Sequence, residues 1–570
     1  MAEVLPSLPP EEIRKRRYRP DRRLKGRDRG RYPYAHTEHG PLTEDEATGI
    51  GYDTRVNRRD FLTVAGKLGL GSMATAALYP AFLASCGRTI EDAAGVGFGV
   101  GGGGGDTINI GIISVYSGVG AFIGTLTKHG AELAAEQINK HGVNIPPVGD
   151  GIFPDFDAYQ AQTDGGVLGG KKINLIQRDD NLSAQVAVSA LQEMISKYQI
   201  KGVIFAGLLD DIYACKRLIQ QSNMPAIACY SDIFSTGNLY PQSDYKQVFQ
   251  IFPPDVWATE VLADYAISDR GYSSFAFIGD NTNIGNQGRA QVAKALSERG
   301  ATLAASEQYN VGDTDMTAQM LRIRGTGCEA LFLWGLAGDT AHGLQNIEAL
   351  GGGYVDRDRA RAGGWNPQIL GFPGGAAERT FAELAGPAAK SGTVSTWYMG
   401  GIGYIPEFQG AVELFKQRWG SSPTGGENNP SDSVFLLAKA FDTAGGTDPA
   451  QVIATLEKTS INFSSATPHA FAPDRHISLT KEDIVGVCLE RGKAVNTNPP
   501  YELGTEFTEF FAPGYIGPTH FVRLNLEANL KKYPALEGIF LEKGYGTQCT
   551  KVEDPNSEFG FRLTNDCKIH

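Results

Sequence analysis

The 570-residue chain has little of what most enzyme chemistry needs. It contains no C-x-x-C pair, no H-E-x-x-H and no G-x-S-x-G. These absences exclude paired-cysteine zinc sites, the zinc-protease helix and the nucleophile elbow of the hydrolases. Histidine is sparse, and His129, His342 and His476 stand apart from one another, so each reads as a structural or surface residue. Positive charge is also short. Up to Ser85 there are 15 Lys and Arg against 11 Asp and Glu, but beyond it 37 against 53. A body this acidic argues against non-specific nucleic-acid binding. The length is ample for a sizeable core, so folding requires neither disulfides nor metals.

What is present begins with an address. Residues 1–57 form a basic leader without apolar periodicity, "EEIRKRRYRPDRRLKGRDRGRYPY" at its heart, and read as disordered. Residues 58–85 place Arg58-Arg59 before Phe61-Leu62, then a mildly apolar Gly/Ala-rich run to Leu83-Ala84-Ser85-Cys86. This resembles a twin-arginine export signal ending in a lipobox, with Cys86 as the lipidated residue. Residues 86–106 are a glycine-rich tether. The remaining cysteines are Cys215, Cys229, Cys328, Cys488, Cys549 and Cys567. In an oxidising compartment an even number permits disulfides, and the favoured bridge is Cys549–Cys567, which brackets a loop-like tail; Cys215 and Cys229 read equally well as buried thiols.

From Thr107 strands and helices alternate, the signature of an α/β fold with a largely parallel sheet. "INIGIISV" and "KKINLIQRDD" are strands; "SAQVAVSALQEMISK" carries Ala187, Ala190, Leu191, Met194 and Ile195 on one helical face behind an N-capping Ser183. The pattern restarts at "SSFAFIGD", which suggests two similar lobes rather than one long sheet. From about Asn496 the alternation stops.

Two stretches approach nucleotide-binding motifs and miss. In "SGVGAFIG", Gly118 and Gly120 suit a dinucleotide fingerprint, but the third glycine, Gly124, comes one place late and Asp179 and Asp180 lie too far on. In "GGVLGGKK", Lys172 stands where a magnesium-holding Ser or Thr belongs, and the segment precedes its strand. No cofactor and no metal is expected.

The order of the pieces resembles the type I periplasmic binding proteins, the branched-chain amino acid and amide group that serves ABC importers. "SGVGAFIGTLTKHGAELAAEQIN" is similar to that family's first turn and helix. "GGKKINLIQRDDNLSAQVAVSALQEMI", "KGVIFAG", "MPAIACYS", "SSFAFIGDNTNIGNQG", "EALFLWG" and "ILGFPGGAAERTFAELAGPAAKSGTVST" follow in the family's order over residues 107–490. The resemblance implies two Rossmann-like α/β lobes joined by a three-crossover hinge. Lobe 1 would hold residues 107–252 and 393–453, lobe 2 residues 253–392 and 454–495, and residues 496–570 would form a C-terminal extension, read as a flap over one lobe. It implies a non-enzymatic protein whose partners are a small-molecule ligand, an importer permease and, through the lipid on Cys86, the outer face of the cytoplasmic membrane. A ligand-sensing receptor of the same fold is the alternative, and an exported cofactor-containing oxidoreductase a more distant one.

Carrying the family's site over exposes departures. Ile123, beside Phe122, replaces a tyrosine of the first turn, and Asp210 stands where a serine usually meets the ligand carboxylate. Tyr230, Ser231 and Asp232 match the loop after the fourth strand, and Ile284 replaces an aromatic of the second lobe. No acid stands near Phe372-Pro373-Gly374, where one would pair with an α-ammonium. A buried ammonium needs a partner and a ligand carboxylate facing Asp210 would be repelled, so a standard amino acid fits only if Asp210 and Asp232 take over the ammonium. The expected ligand is a small polar or partly apolar molecule: an amide, a urea-like compound or a modified amino acid. The expected walls are Phe122, Tyr230, Trp334 and Phe372. Ser117, Asp210, Ser231 and Asp232 supply polar contacts, with Gly118 and backbone amides at the helix start.

Overall fold

The computed structural model describes residues 106–148, 153–233, 245–351, 365–376, 393–398 and most of 409–488, with short pieces within 381–388, 527–537 and 551–563 and the strand pair His36–Thr37 and Gly40–Pro41. The chain divides into two compact units, Met1–Phe98 and Gly99–His570. The twin-arginine signal, Cys86, the tether, Cys549 and Cys567 lie outside the described residues. Among those that are described, no helix is long and apolar enough to cross a membrane.

In the second unit, strands with continuous apolar runs make two sheets. The first lobe is built from β1 (Thr107–Ser114), α1 (Ala121–His141), β2 (Lys172–Asp179), α2 (Ala184–Tyr198), β3 (Gly202–Ala206), α3 (Leu209–Ser222), β4 (Ala226–Ala228) and β5 (Val248–Gln250). Its five strands are all parallel in the order β2-β1-β3-β4-β5. Ile110, Ile112 and Ile204 pack on one face, and Ile113, Val203 and Phe205 on the other, as expected of a parallel sheet covered on both sides. Buried Cys215 and Cys229 are free thiols.

The second lobe has α4 (Asp255–Asp264), β6 (Phe275–Asp280), α5 (Asn283–Glu298), β7 (Leu303–Tyr309), α6 (Thr317–Gly325), β8 (Ala330–Trp334), α7 (Ala337–Ala349), β9 (Gln368–Gly371) and β10 (Val394–Tyr398). Then come α8 (Gln409–Trp419), α9 (Gly425–Ala444), α10 (Pro449–Leu456) and β11 (Ile484–Cys488). The second sheet runs β7-β6-β8-β9-β10-β11, parallel except for the last pair.

Two lobe boundaries differ from those expected. The resemblance places residues 393–398 in lobe 1, but Val394 pairs in parallel with Leu370, so β10 belongs to the second sheet. The resemblance places residues from 454 onward in lobe 2, yet the described residues up to Leu479 stay with lobe 1. Gln250 N–H donates to the His476 carbonyl at 2.7 Å and Ser478 N–H to the Gln250 carbonyl at 2.9 Å, extending the edge of the first sheet. The last crossing therefore falls at about residues 479–483. A strand's own pattern shows that it pairs, not which sheet it joins.

The helices α1 and α9 pack closely across lobe 1. A Cβ on Gly130 would lie 1.9 Å from the Glu427 carbonyl oxygen, and Ser431 Oγ donates to the Gly130 carbonyl at 2.8 Å. The late glycine of the opening turn has a comparable reason. A Cβ on Gly124 would meet the Val115 carbonyl oxygen at 2.5 Å, and Gly124 N–H already donates to it at 3.0 Å. The glycine serves the return of α1 against its own strand.

Candidate functional site

Open parallel sheets leave a crevice beyond the carboxyl ends of their strands. Here the strand ends of both lobes, together with the starts of the helices that follow them, surround one cavity of about 330 Å³. That volume suits a small molecule, since ligand sites span about 300–1,000 Å³.

Lobe 1 contributes Phe122, Ile123 and Leu126 from the first turns of α1, Leu182 before α2, and Gly207 to Asp210 at the end of β3. Tyr230, Ser231 and Asp232 follow β4, and Phe252 and Asp255 mark the first crossing. Lobe 2 contributes Asp280, Thr282, Asn283, Ile284 and Gln287 around the start of α5. Val311, Leu336, Phe372 and Gly374 come from the ends of β7, β8 and β9. Of the residues singled out in the sequence, Phe122, Asp210, Tyr230, Ser231, Asp232, Ile284 and Phe372 therefore come together at the cavity.

Three do not. Trp334 is 1% exposed, with its ring 5.1 Å from that of Phe372 and 6.2 Å from that of Phe277. The two-residue period of β8 puts it with Ala330 and Phe332 in the core beneath the cleft, and Leu336 forms the wall instead. Ser117 donates its hydroxyl to Asn181 Oδ1 at 3.2 Å, and Gly118, exposed at a φ of +69°, belongs to the short turn before α1; neither lines the cavity.

Several polar groups are held by neighbours. Tyr230 donates its hydroxyl to the Gly426 carbonyl. Ser231 Oγ donates to the Gly207 carbonyl at 3.4 Å. Asp232 accepts from Asp255 N–H at 2.9 Å and from Gln250 Nε2 at 3.3 Å. Asn283 Nδ2 donates to Asp210 Oδ1 at 2.8 Å, a bond that spans the cleft from one lobe to the other.

Behind the β3 loop, Asp180 and Asp211 are buried on either side of Gly207, whose added Cβ would come 2.3 Å from Asp180 Oδ2 and 2.9 Å from Asp211 Oδ2. Burial and the shared hydrogen bond with Asp180 push the Asp211 carboxyl up to about 8, and burial raises Asp180 as well. Such a pair holds a proton between its oxygens. Burial, reinforced by the adjacent Asp232 charge, likewise raises Asp255 well above the usual carboxylate range.

Asp255, Asp280, Thr282, Asn283 and Gln287 were not among the residues singled out. Asp280 ends a strand and Thr282 caps the next helix, a pattern the sequence displays; the pairing of Asp255 with Asp232 is tertiary and leaves no local signal. Among the described residues, no group of three His, Cys, Asp or Glu could hold a metal ion.

Two α/β lobes with their strand ends facing a shared cavity define a solute-binding architecture. The chain belongs to the periplasmic binding protein family, whose profile matches residues 107–480. It is 20% identical over 403 residues to "Leu/Ile/Val-binding protein homolog 7" of Brucella melitensis biotype 1, a match covering 69% of this chain and 91% of the relative. An ABC-transporter solute-binding protein of Rhodopseudomonas palustris BisB5, solved with 3,4-dihydroxybenzoic acid, aligns with a TM-score of 0.55 at 17% identity, over 67% of this chain and 93% of its own. The branched-chain amino acid transporter substrate-binding protein of Streptococcus pneumoniae, solved with isoleucine, aligns with a TM-score of 0.52 at 19% identity, over 68% and 97%.

Proposed function

We propose that this protein is an extracytoplasmic lipoprotein, exported by the twin-arginine route and anchored through Cys86, that captures a small polar organic ligand between its lobes and delivers it to an ABC importer. The ligand is amino acid-like, an amide or urea-like. One observation carries the reading: a cavity of small-molecule size is lined by the strand ends of both lobes, and Asp210 and Asn283 already bond across it. Hinge closure between such lobes buries a solute completely. The binding set is Phe122, Asp210, Tyr230, Ser231, Asp232, Ile284 and Phe372, with Asp255 and Asn283 added from the structure.

A thermal-shift screen of amino acids, amides, ureas, amines and aromatic acids tests it. A ligand that binds only the native state raises the melting temperature by mass action. At least one class should do so saturably; a flat response from all five would count against solute binding. Intact-mass analysis of the exported protein should give a form starting at a diacylglycerol-modified Cys86, and an unmodified cysteine would contradict the anchor.

A further inference from the structure

The polar lining of the cavity has one sign. Asp210, Asp232, Asp255 and Asp280 all face it, and among the described residues no Lys, Arg or His lines it. Two of these carboxylates keep a buried oxygen without a hydrogen-bond partner: Oδ1 of Asp255 and Oδ2 of Asp280, the latter on a side chain only 1% exposed. An unpaired buried carboxylate oxygen is costly unless a cation or donor arrives.

Several of the backbone donors that would greet an anion are already used. Asp280 Oδ1 accepts from Thr282 N–H at 2.9 Å and Gly285 N–H at 3.1 Å. Asp211 Oδ2 accepts from Leu208 N–H at 3.3 Å, and Asp232 takes Asp255 N–H. Helix starts commonly hold ligand carboxylates through such amides; here the protein's own acids occupy them. A metal ion does not suit the same acids, because no three of the described ligating side chains converge on one point. Beside the neutral polar groups of Ser231, Thr282, Asn283 and Gln287 the lining is apolar, with Phe122, Phe252 and Phe372 offering rings to a cation or to an apolar body.

We infer that the ligand of this cleft is an organic ammonium ion: an amine carrying an apolar body and no carboxylate. The inference rests on the solute-binding reading above and changes its ligand class, to a carboxylate-free amine in place of an amino acid-like molecule, an amide or a urea. The ammonium group sits beside the neighbouring Asp232 and Asp255, with Asp280 lining the wall of the other lobe, and the apolar body lies against the aromatic walls.

The test titrates the full-length protein with four compounds that share a benzyl body: 2-phenylethylamine, phenylacetamide, phenylalanine and phenylacetate. A matching set built on a branched alkyl body is run beside them. In at least one set the amine should bind ten-fold or more tightly than its amide, amino acid and acid. An amide, amino acid or acid that binds as tightly as its amine, or amines that fail while another class binds, would overturn the inference and leave solute binding standing. Silence from every class in this test and in the broader screen would remove the solute-binding reading, and the inference with it.

The variant Asp255→Asn adds a readout that a merely structural role would not move. It should weaken the amine at least ten-fold while leaving the melting temperature of the ligand-free protein unchanged or higher, because Asn has the shape of the protonated acid that burial beside Asp232 favours. Full amine affinity in the variant would overturn the assignment. Should Asp255→Asn fail to fold, Asp280→Asn replaces it with the same affinity criterion.

Discussion

Asp211 is where a single proton bears on stability. Its carboxyl rises from an ordinary 3.8 to about 8, through burial first and Asp180 second. The folded state therefore holds a proton that the unfolded chain has released above about pH 4. The contribution of this group is complete below that pH and is lost as pH rises towards 8. Asp211→Asn keeps an oxygen for Leu208 N–H and supplies Asp180 with a permanent donor. Its melting temperature should gain on the wild type between pH 5 and pH 9, by about 2 °C or more at the upper end. Parallel melting curves for the two proteins across that range would show the pair to be inert. Asp210, Tyr230, Ser231 and Asp232 were legible because each follows a recognisable strand, where parallel sheets hold ligands. Trp334 was misread because its strand's two-sided apolar run hides which face each side chain takes. Asp255 leaves no local signal because its partner, Asp232, lies 23 residues away in sequence.

Among the elements, close backbone approach decides which helices can pack. Gly130 lets α1 lie on α9, and Gly288 lets α5 pass the indole of Trp334, whose Cδ1 and Nε1 would each be 2.3 Å from an added Cβ. Gly130→Ala meets rigid helix backbone and should destabilise by about 1–3 kcal/mol. Gly288→Ala meets a side chain already confined by Phe277 and Phe372 and should cost a similar amount. Chemical denaturation measures both, and wild-type midpoints would contradict the packing account. The alternation of strands and helices, and the restart at the second lobe, could be read directly. The sheet joined by β10 could not, because parallel pairing is fixed by the crossover that delivers a strand and not by its composition.

On the scale of the whole molecule, the connections between the lobes carry more than chain. Asp483, fully buried beside the third crossing, accepts from Lys532 Nζ at 2.6 Å and from the Tyr533 hydroxyl at 2.6 Å. Leu530 of the same segment is buried in the core. Leu530, Lys532 and Tyr533 of the C-terminal extension thus brace the third crossing. Tyr533→Phe leaves Asp483 one donor short and should lower stability by about 1–3 kcal/mol, read by thermal melting; an unchanged melting temperature would mean that the extension is not braced there. Across the cleft mouth, Asn283→Ala removes the bond to Asp210 and should weaken ligand binding about five-fold, the equivalent of roughly 1 kcal/mol.

The central claim, that the cavity between the two sheets captures a solute, is tested most directly by calorimetric titration of the tightest ligand into the wild type and into Ile284→Trp, which fills the cavity from the first turn of α5. The account predicts one site per chain in the wild type and no measurable binding in the variant. Unchanged binding in the Ile284→Trp protein, with its fold intact by circular dichroism, would place the site elsewhere and contradict it.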